Sequence, residues 1–206
     1  MADTAARLPR GRHTLTRDQV AADQRARMML ALAEVMGEKG FGPTSVADVI
    51  GRAGVSRQTF YEQFSSKLDC FLATFDTAGE LLLAELDRLA GADGGSPIDR
   101  FDRLLAEYLD TMARWSGYAR VLLVESHAAG AEAIGRRVAL QERIVAALAG
   151  VLEVDDERGR FALAVLVAAI GSMVTEPLVR GDGDALRALH APIVDLVAAA
   201  LAARER

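Results

Sequence analysis

Within five consecutive residues, Arg57–Tyr61, the chain places a guanidinium, a primary amide, a hydroxyl and a phenol. If these residues form a helix, Phe60 and Phe64 lie four apart and share one face. They can anchor the helix to a core, and Arg57, Gln58 and Tyr61 then fall on the opposite side. Guanidinium and amide groups at that spacing suit base edges and phosphates in the major groove of double-stranded DNA. Lys67 adds a cation at the start of the following helix, where it opposes the helix dipole. A nearby phosphate would rationalise that placement. The competing reading is a helical hairpin whose outer face is merely solvated. A tight turn, a short second helix and Tyr61 beside Arg57 favour DNA.

The elements that must position this face are legible in Thr44–Lys67. Ser45 precedes Val46, Val49, Ile50 and Ala53, apolar positions at helical spacing, and Asp48 completes a capping box with a short acid. Gly54 ends that helix because a residue without Cβ turns left-handed cheaply. Val55 can pin the turn and Ser56 caps the next helix. Ser66, Lys67 and Asp69 open a long one.

The residues Gly40-Phe41, Thr44-Ser45-Val46, Asp48-Val49-Ile50, Ala53-Gly54-Val55-Ser56, Thr59-Phe60-Tyr61, Phe64 and Ser66-Lys67 resemble the N-terminal domain of the TetR family of bacterial transcriptional regulators. The resemblance covers roughly residues 17–75. It implies a homodimer on a palindromic operator, usually a repressor released by a small-molecule effector. By position it implies that Arg57, Gln58, Thr59 and Tyr61 face bases or phosphates, and that Thr44, Ser45 and Lys67 hold the DNA backbone. Two positions depart from the pattern. Ala47 stands where some relatives carry a long base-reading side chain, and Glu62 is acidic on a DNA-proximal helix, tolerable if it points away from phosphate or accepts from a cytosine amine.

Composition agrees. Half of the 206 residues are apolar and the net charge is −5. The charge is unevenly spread: residues 1–70 hold 10 Lys/Arg against 8 Asp/Glu, and the remainder hold 14 against 21. The end that would meet DNA is the more basic. Cys70 is alone, which excludes an intrachain disulfide and fits a reducing cytoplasm. The N-terminus has no apolar signal segment. Phe161–Thr175 is apolar but shorter than a bilayer requires, so no membrane partner is expected.

The chain reads as all-α, about nine helices in two parts. Residues 1–15, with Arg7, Arg10, Arg12 and His13, form a basic arm that could lie along phosphates. Residues 16–65 form a three-helix DNA-binding domain, opened by a Thr16–Gln19 capping box and a first helix stopped by Gly40. Residues 66–206 form a helical domain for ligand binding and dimerisation. Its fourth helix spans about 67–90 and residues 91–97 are a linker. Further helices follow over Ile98–Trp115, Tyr118–His127, Glu132–Leu152, Asp156–Arg180 and Asp184–Arg204. Pro177 and Pro192 kink or break the last two.

A ligand pocket needs apolar walls and a few fixed polar groups. Met112, Trp115 and Tyr118 at a helix corner, the acids Glu125 and Glu176, and Met173 are the candidates, with plain core as the competing reading. The eighth and ninth helices are apolar around too much of their circumference for surface helices, which burial against a second copy resolves. Catalysis finds no support. His13, His127 and His190 have no metal-ligand spacing, and no nucleophile turn, Gly-rich phosphate loop or cofactor motif is present. The rival of another class is a ligand-binding or interaction protein without sequence-specific DNA binding.

Overall fold

The computed structural model describes residues 16–90 and 94–204. The expected basic arm and residues 91–93 of the expected linker therefore lie outside the described residues. Among the described residues there are helices and no strand. Joining the pieces on either side of the single residues Val174 and Leu189, and the π-helical turn with its flanks, gives nine rods among the described residues: α1 (Arg17–Lys39), α2 (Val46–Ala53), α3 (Arg57–Gln63), α4 (Lys67–Ala90), α5 (Pro97–Arg114), α6 (116–129), α7 (Ala131–Val151), α8 (Glu157–Arg180) and α9 (Gly183–Ala188 continued by His190–Arg204).

The starts and stops follow from local chemistry. Thr16 caps α1 through a reciprocal box with Gln19, and Gly40 ends it with φ of 80°. Ser96 and Asp99 box the start of α5, with Pro97 in its first turn where no N–H is needed. The two late prolines act three residues upstream of themselves. α8 breaks at Val174 and α9 at Leu189, ahead of Pro177 and Pro192. Each proline lacks the N–H that would bond four residues back, and its ring crowds that carbonyl. α6 carries a feature the sequence did not announce: Val121–Glu125 is a π-helical turn between two α-helical pieces.

The core is continuous from end to end. Met28, Leu32 and Met36 of α1, Val49 of α2 and Phe60 and Phe64 at the end of α3 are buried with Phe71 and Phe75 of α4. Farther along, Leu82 and Leu86 of α4 pack with Phe101, Leu105 and Leu109 of α5. α4 thus belongs to both halves. α7 leans closely on it at Gly79, where a Cβ would come 3.3 Å from Leu140. Ion pairs Asp76–Arg136 and Glu80–Arg143 flank this approach.

α8 and α9 differ from the other helices in what they leave uncovered. Phe161, Val165 and Met173 of α8 and Leu196 of α9 are exposed. The stretches Glu157–Arg180 and Gly183–Ala203 are long and apolar enough to cross a membrane by length and composition. The bounds agree with the helices expected over Asp156–Arg180 and Asp184–Arg204; the charge-free stretch Phe161–Thr175 is only the middle of α8.

Candidate nucleic-acid interface

The α2–turn–α3 unit is assembled by caps. Ser45 Oγ accepts the Asp48 N–H at 3.2 Å, and Asp48 Oδ2 accepts the Ser45 N–H at 2.7 Å. The Lys39 ammonium at 2.8 Å, followed by the Ser45 bonds, holds the Asp48 carboxyl well below the usual carboxylate range. Gly54 closes α2 in the left-handed region (φ 66°, ψ 38°), and its N–H and that of Val55 both donate to Ile50 O. Ser56 Oγ then accepts the Thr59 N–H at 3.0 Å and starts α3.

Two arginines that sequence reasoning passed over complete the unit. Arg25 donates to Gln63 O at 3.0 Å and lies 4.3 Å above the Phe64 ring. Arg27 donates to Ala53 O at 3.1 Å. Both reach from α1 to carbonyls at the C-terminal ends of α3 and α2, which have no partner within their own helix. A basic pair on the polar side of α1 was the only sequence signal for them.

On this frame the expected recognition face is exposed. Phe60 and Phe64 are buried, and Arg57, Gln58 and Tyr61 stand outside. The Arg57 guanidinium lies 5.5 Å from the Tyr61 ring and its Nη2 is 3.5 Å from the phenol oxygen. Gln58 Nε2 donates to Glu62 Oε1 at 2.9 Å, so the acid that seemed misplaced is answered within the helix. Thr59 is half-buried and its hydroxyl lies 2.9 Å from Ser56 Oγ.

The three residues expected to hold the DNA backbone are placed differently from one another. Ser45 is exposed at the start of α2. Thr44 is buried, and its hydroxyl donates to Gly40 O at 2.7 Å. Lys67 does not project outward. Its ammonium donates to the carbonyls of Phe41 (2.7 Å), Thr44 (2.8 Å) and Gly42 (3.3 Å), and sits 4.1 Å from the Phe41 ring. These carbonyls supply the negative partner that the sequence reading sought in a phosphate. Thr44 and Lys67 thus serve the loop 40–44 from within.

Of the six candidate ligand residues, three converge. Met112, Trp115 and Tyr118 line one cavity of about 530 Å³ between α4, α5 and α6. Leu81, Leu82 and Leu122 continue its apolar wall, and Glu107 and Arg114, paired at 2.5 Å, stand on its polar side. Trp115 is 58% exposed beside it, whereas Met112 is buried. Burial raises the Tyr118 phenol above its ordinary pKa.

The other three candidates are elsewhere. Met173 is exposed on the outer side of α8. Glu176 is exposed and pairs with Arg180 one turn on. Glu125 is buried, but Oε2 accepts the Phe41 N–H at 2.8 Å, on the side of α6 that faces α1. The two acids therefore do not face a common cavity with Met112, Trp115 and Tyr118. Among the described residues no group of three His, Cys, Asp or Glu side chains could hold a metal ion.

Residues 29–74 match the family of bacterial regulatory proteins, tetR family. Two curated relatives align with the same region. The HTH-type transcriptional activator FasR of Mycolicibacterium smegmatis is 35% identical over 51 residues, 25% of this chain and 23% of its own. The HTH-type transcriptional regulator CymR of Pseudomonas putida is 38% identical over 61 residues, 30% of each chain. The chain thus aligns with less than a third of the length of either. Solved structures match over much more. The fatty acid degradation regulator FadR of Bacillus halodurans gives a TM-score of 0.74 at 18% identity, over 84% of this chain and 93% of that one. A TetR-like regulator from Rhodococcus sp. RHA1 gives 0.67 at 22% identity, over 90% and 98%. The fold is shared with these regulators over most of the chain, whereas the sequence likeness is concentrated around the helix-turn-helix.

Proposed function

Because residues 29–74 are the N-terminal segment of the tetR family, we propose that this protein is a DNA-binding transcriptional regulator. We read it as a homodimer that leaves a palindromic operator when a small molecule enters the cavity between α4, α5 and α6. The observation that carries the reading is the α3 face. Arg57, Gln58 and Tyr61 are exposed on a seven-residue helix anchored by Phe60 and Phe64. A helix of that length, fixed from behind and polar in front, suits the major groove.

Three further observations support the remainder. The exposed apolar side chains of α8 and α9 border a groove of about 220 Å³ lined by residues such as Ala162, Val165, Ala169, Leu196 and Ala200. A second copy packed there as a four-helix bundle would cover them, and two-fold symmetry would set two recognition helices on successive major grooves. The cavity has the size and the mixed apolar and polar walls of a small-molecule site. α4 lines that cavity and also packs with α1, so a ligand that binds better to one tilt of α4 would shift the spacing of the α3 helices. A regulator that leaves its operator when the cavity fills acts as a repressor in its ligand-free state. The expected compartment is the cytoplasm, where the DNA is.

The test is Arg57→Ala. Operator binding should weaken by roughly 5- to 150-fold, the about 1–3 kcal/mol of one good base contact, while dimerisation in sedimentation velocity is unchanged. Equal loss of both would sink the role given to α3.

A further inference from the structure

The loop 40–44 between α1 and α2 is gripped from two sides. From α4, Lys67 holds its carbonyls. From α6, the Glu125 carboxylate accepts the Phe41 N–H at 2.8 Å. Among the described residues no other hydrogen bond or ion pair crosses from α1–α3 to α5–α9. We propose that Glu125 is a positioning residue: its buried carboxylate clamps the N-terminal helices onto the C-terminal ones, and so sets the angle at which α3 is presented.

Four features of the site support this. Glu125 is only 6% exposed, and a polar side chain withdrawn from water is held where its oxygens have partners. Oε2 has the Phe41 amide, and Oε1 lies 3.6 Å from Arg120 Nη2. Arg120 in turn reaches Val179 O of α8 at 3.5 Å, so the carboxylate is tied into the C-terminal helices before it reaches across. Next, the loop admits the carboxylate because Gly40 is there. A Cβ at Gly40 would lie 3.5 Å from Oε2, and its φ of 80° is one that side chains rarely adopt. Third, the clamp is not duplicated by its neighbours, since buried Ser126 Oγ and Arg120 Nε have no hydrogen-bond partner.

The fourth feature is the π-helical turn itself. Glu125 is its last residue. Such a turn holds one residue more than an α-helical turn, and its return to α-helix would rotate Glu125 by about 100° away from Phe41. Tyr118, Ala119 and Leu122 on the same helix line the cavity. Upstream, α6 meets α1 again at Gly117, where a Cβ would come 3.4 Å from Ala33 O. The cavity wall therefore sits between two contacts that α6 makes with the N-terminal part, Gly117 with α1 and Glu125 with the loop 40–44. Occupancy of the cavity and release of the clamp are coupled through one helix; this coupling rests on the function proposed above, whereas the clamp does not.

The test uses the full chain as wild type, Glu125→Gln and Glu125→Ala. Amide-resolved hydrogen exchange at Phe41 should speed by about tenfold or more in Glu125→Ala, which removes the acceptor, with exchange in α3 unchanged. Glu125→Gln keeps a carbonyl oxygen and should stay within about threefold of wild type. Wild-type exchange at Phe41 in Glu125→Ala would overturn the clamp. If Glu125→Ala does not fold, Glu125→Leu, closer in volume and also without an acceptor, decides the point. The same proteins are then titrated against genomic DNA fragments that the wild type captures. Glu125→Ala should bind them about tenfold more weakly, with Glu125→Gln restoring most of the affinity. Equal weakening in both variants would overturn the positioning role. If the wild type captures no fragment, the proposed function fails, and the exchange result still decides the clamp.

Discussion

Replacing Lys67 by Met separates two roles for one ammonium group. If Lys67 is a phosphate ligand, the substitution weakens DNA binding and leaves the free protein alone. The structure predicts the opposite emphasis. Nζ makes short bonds to Phe41 O at 2.7 Å and Thr44 O at 2.8 Å, and a longer one to Gly42 O at 3.3 Å. A hydrogen bond to a charged group contributes about 1.5–3 kcal/mol. The bonds share one donor group at a half-buried position, so they do not add, and a net loss of about 2–3 kcal/mol is the reasonable figure. For a chain of this length each kcal/mol moves Tm by roughly 2–4 °C, which gives a fall of about 4–12 °C. Scanning calorimetry of Lys67→Met and Lys67→Arg reads it. A Tm unchanged in Lys67→Met, together with weaker DNA binding, would refute the internal role and restore the phosphate.

Two further outcomes follow from other parts of the molecule. Phe161 and Leu196 are 72% and 64% exposed on α8 and α9, so Phe161→Arg with Leu196→Arg should give a monomer of unchanged helix content; a dimer in sedimentation velocity would contradict the proposed interface. Asp48 titrates below its ordinary 3.8 because of Lys39 and Ser45, so its contribution to stability is complete above that value and is lost as pH falls below it. Asp48→Asn should therefore flatten the acid limb of the stability curve below pH about 4, and coincident limbs would remove Asp48 from the cap.

What could be read from the sequence was what local chemistry decides. Ser45, Gly54 and Ser56 fix the turn through atoms within four residues of each other, and the Phe60–Phe64 spacing orients α3 without reference to the rest of the chain. α4 appeared at its observed length because its apolar face is continuous and a Pro/Gly-rich linker follows. The misread residues are those whose surroundings come from distant segments. Glu125 and Glu176 look alike as acids in apolar helices, yet one is buried against a loop 84 residues earlier in the chain and the other is solvated. Lys67 reads in sequence as a phosphate ligand because its three internal acceptors lie more than 20 residues away. The π-helical turn has no composition signal, since Val121–Glu125 would suit an α-helix equally well. Met112, Trp115 and Tyr118 were found because helical spacing brings them to one corner. The α4 side of their cavity was not, because it depends on how α4 crosses α5.

The most direct measurement is capture of DNA by the purified full chain: first the region flanking its own gene, then fragments of the whole genome, in a salt series with nonspecific competitor. The account predicts a saturable complex that survives competitor, weakens steeply as salt rises and is lost in Arg57→Ala. Binding that competitor abolishes, or that Arg57→Ala leaves intact, would contradict the claim that α3 reads DNA.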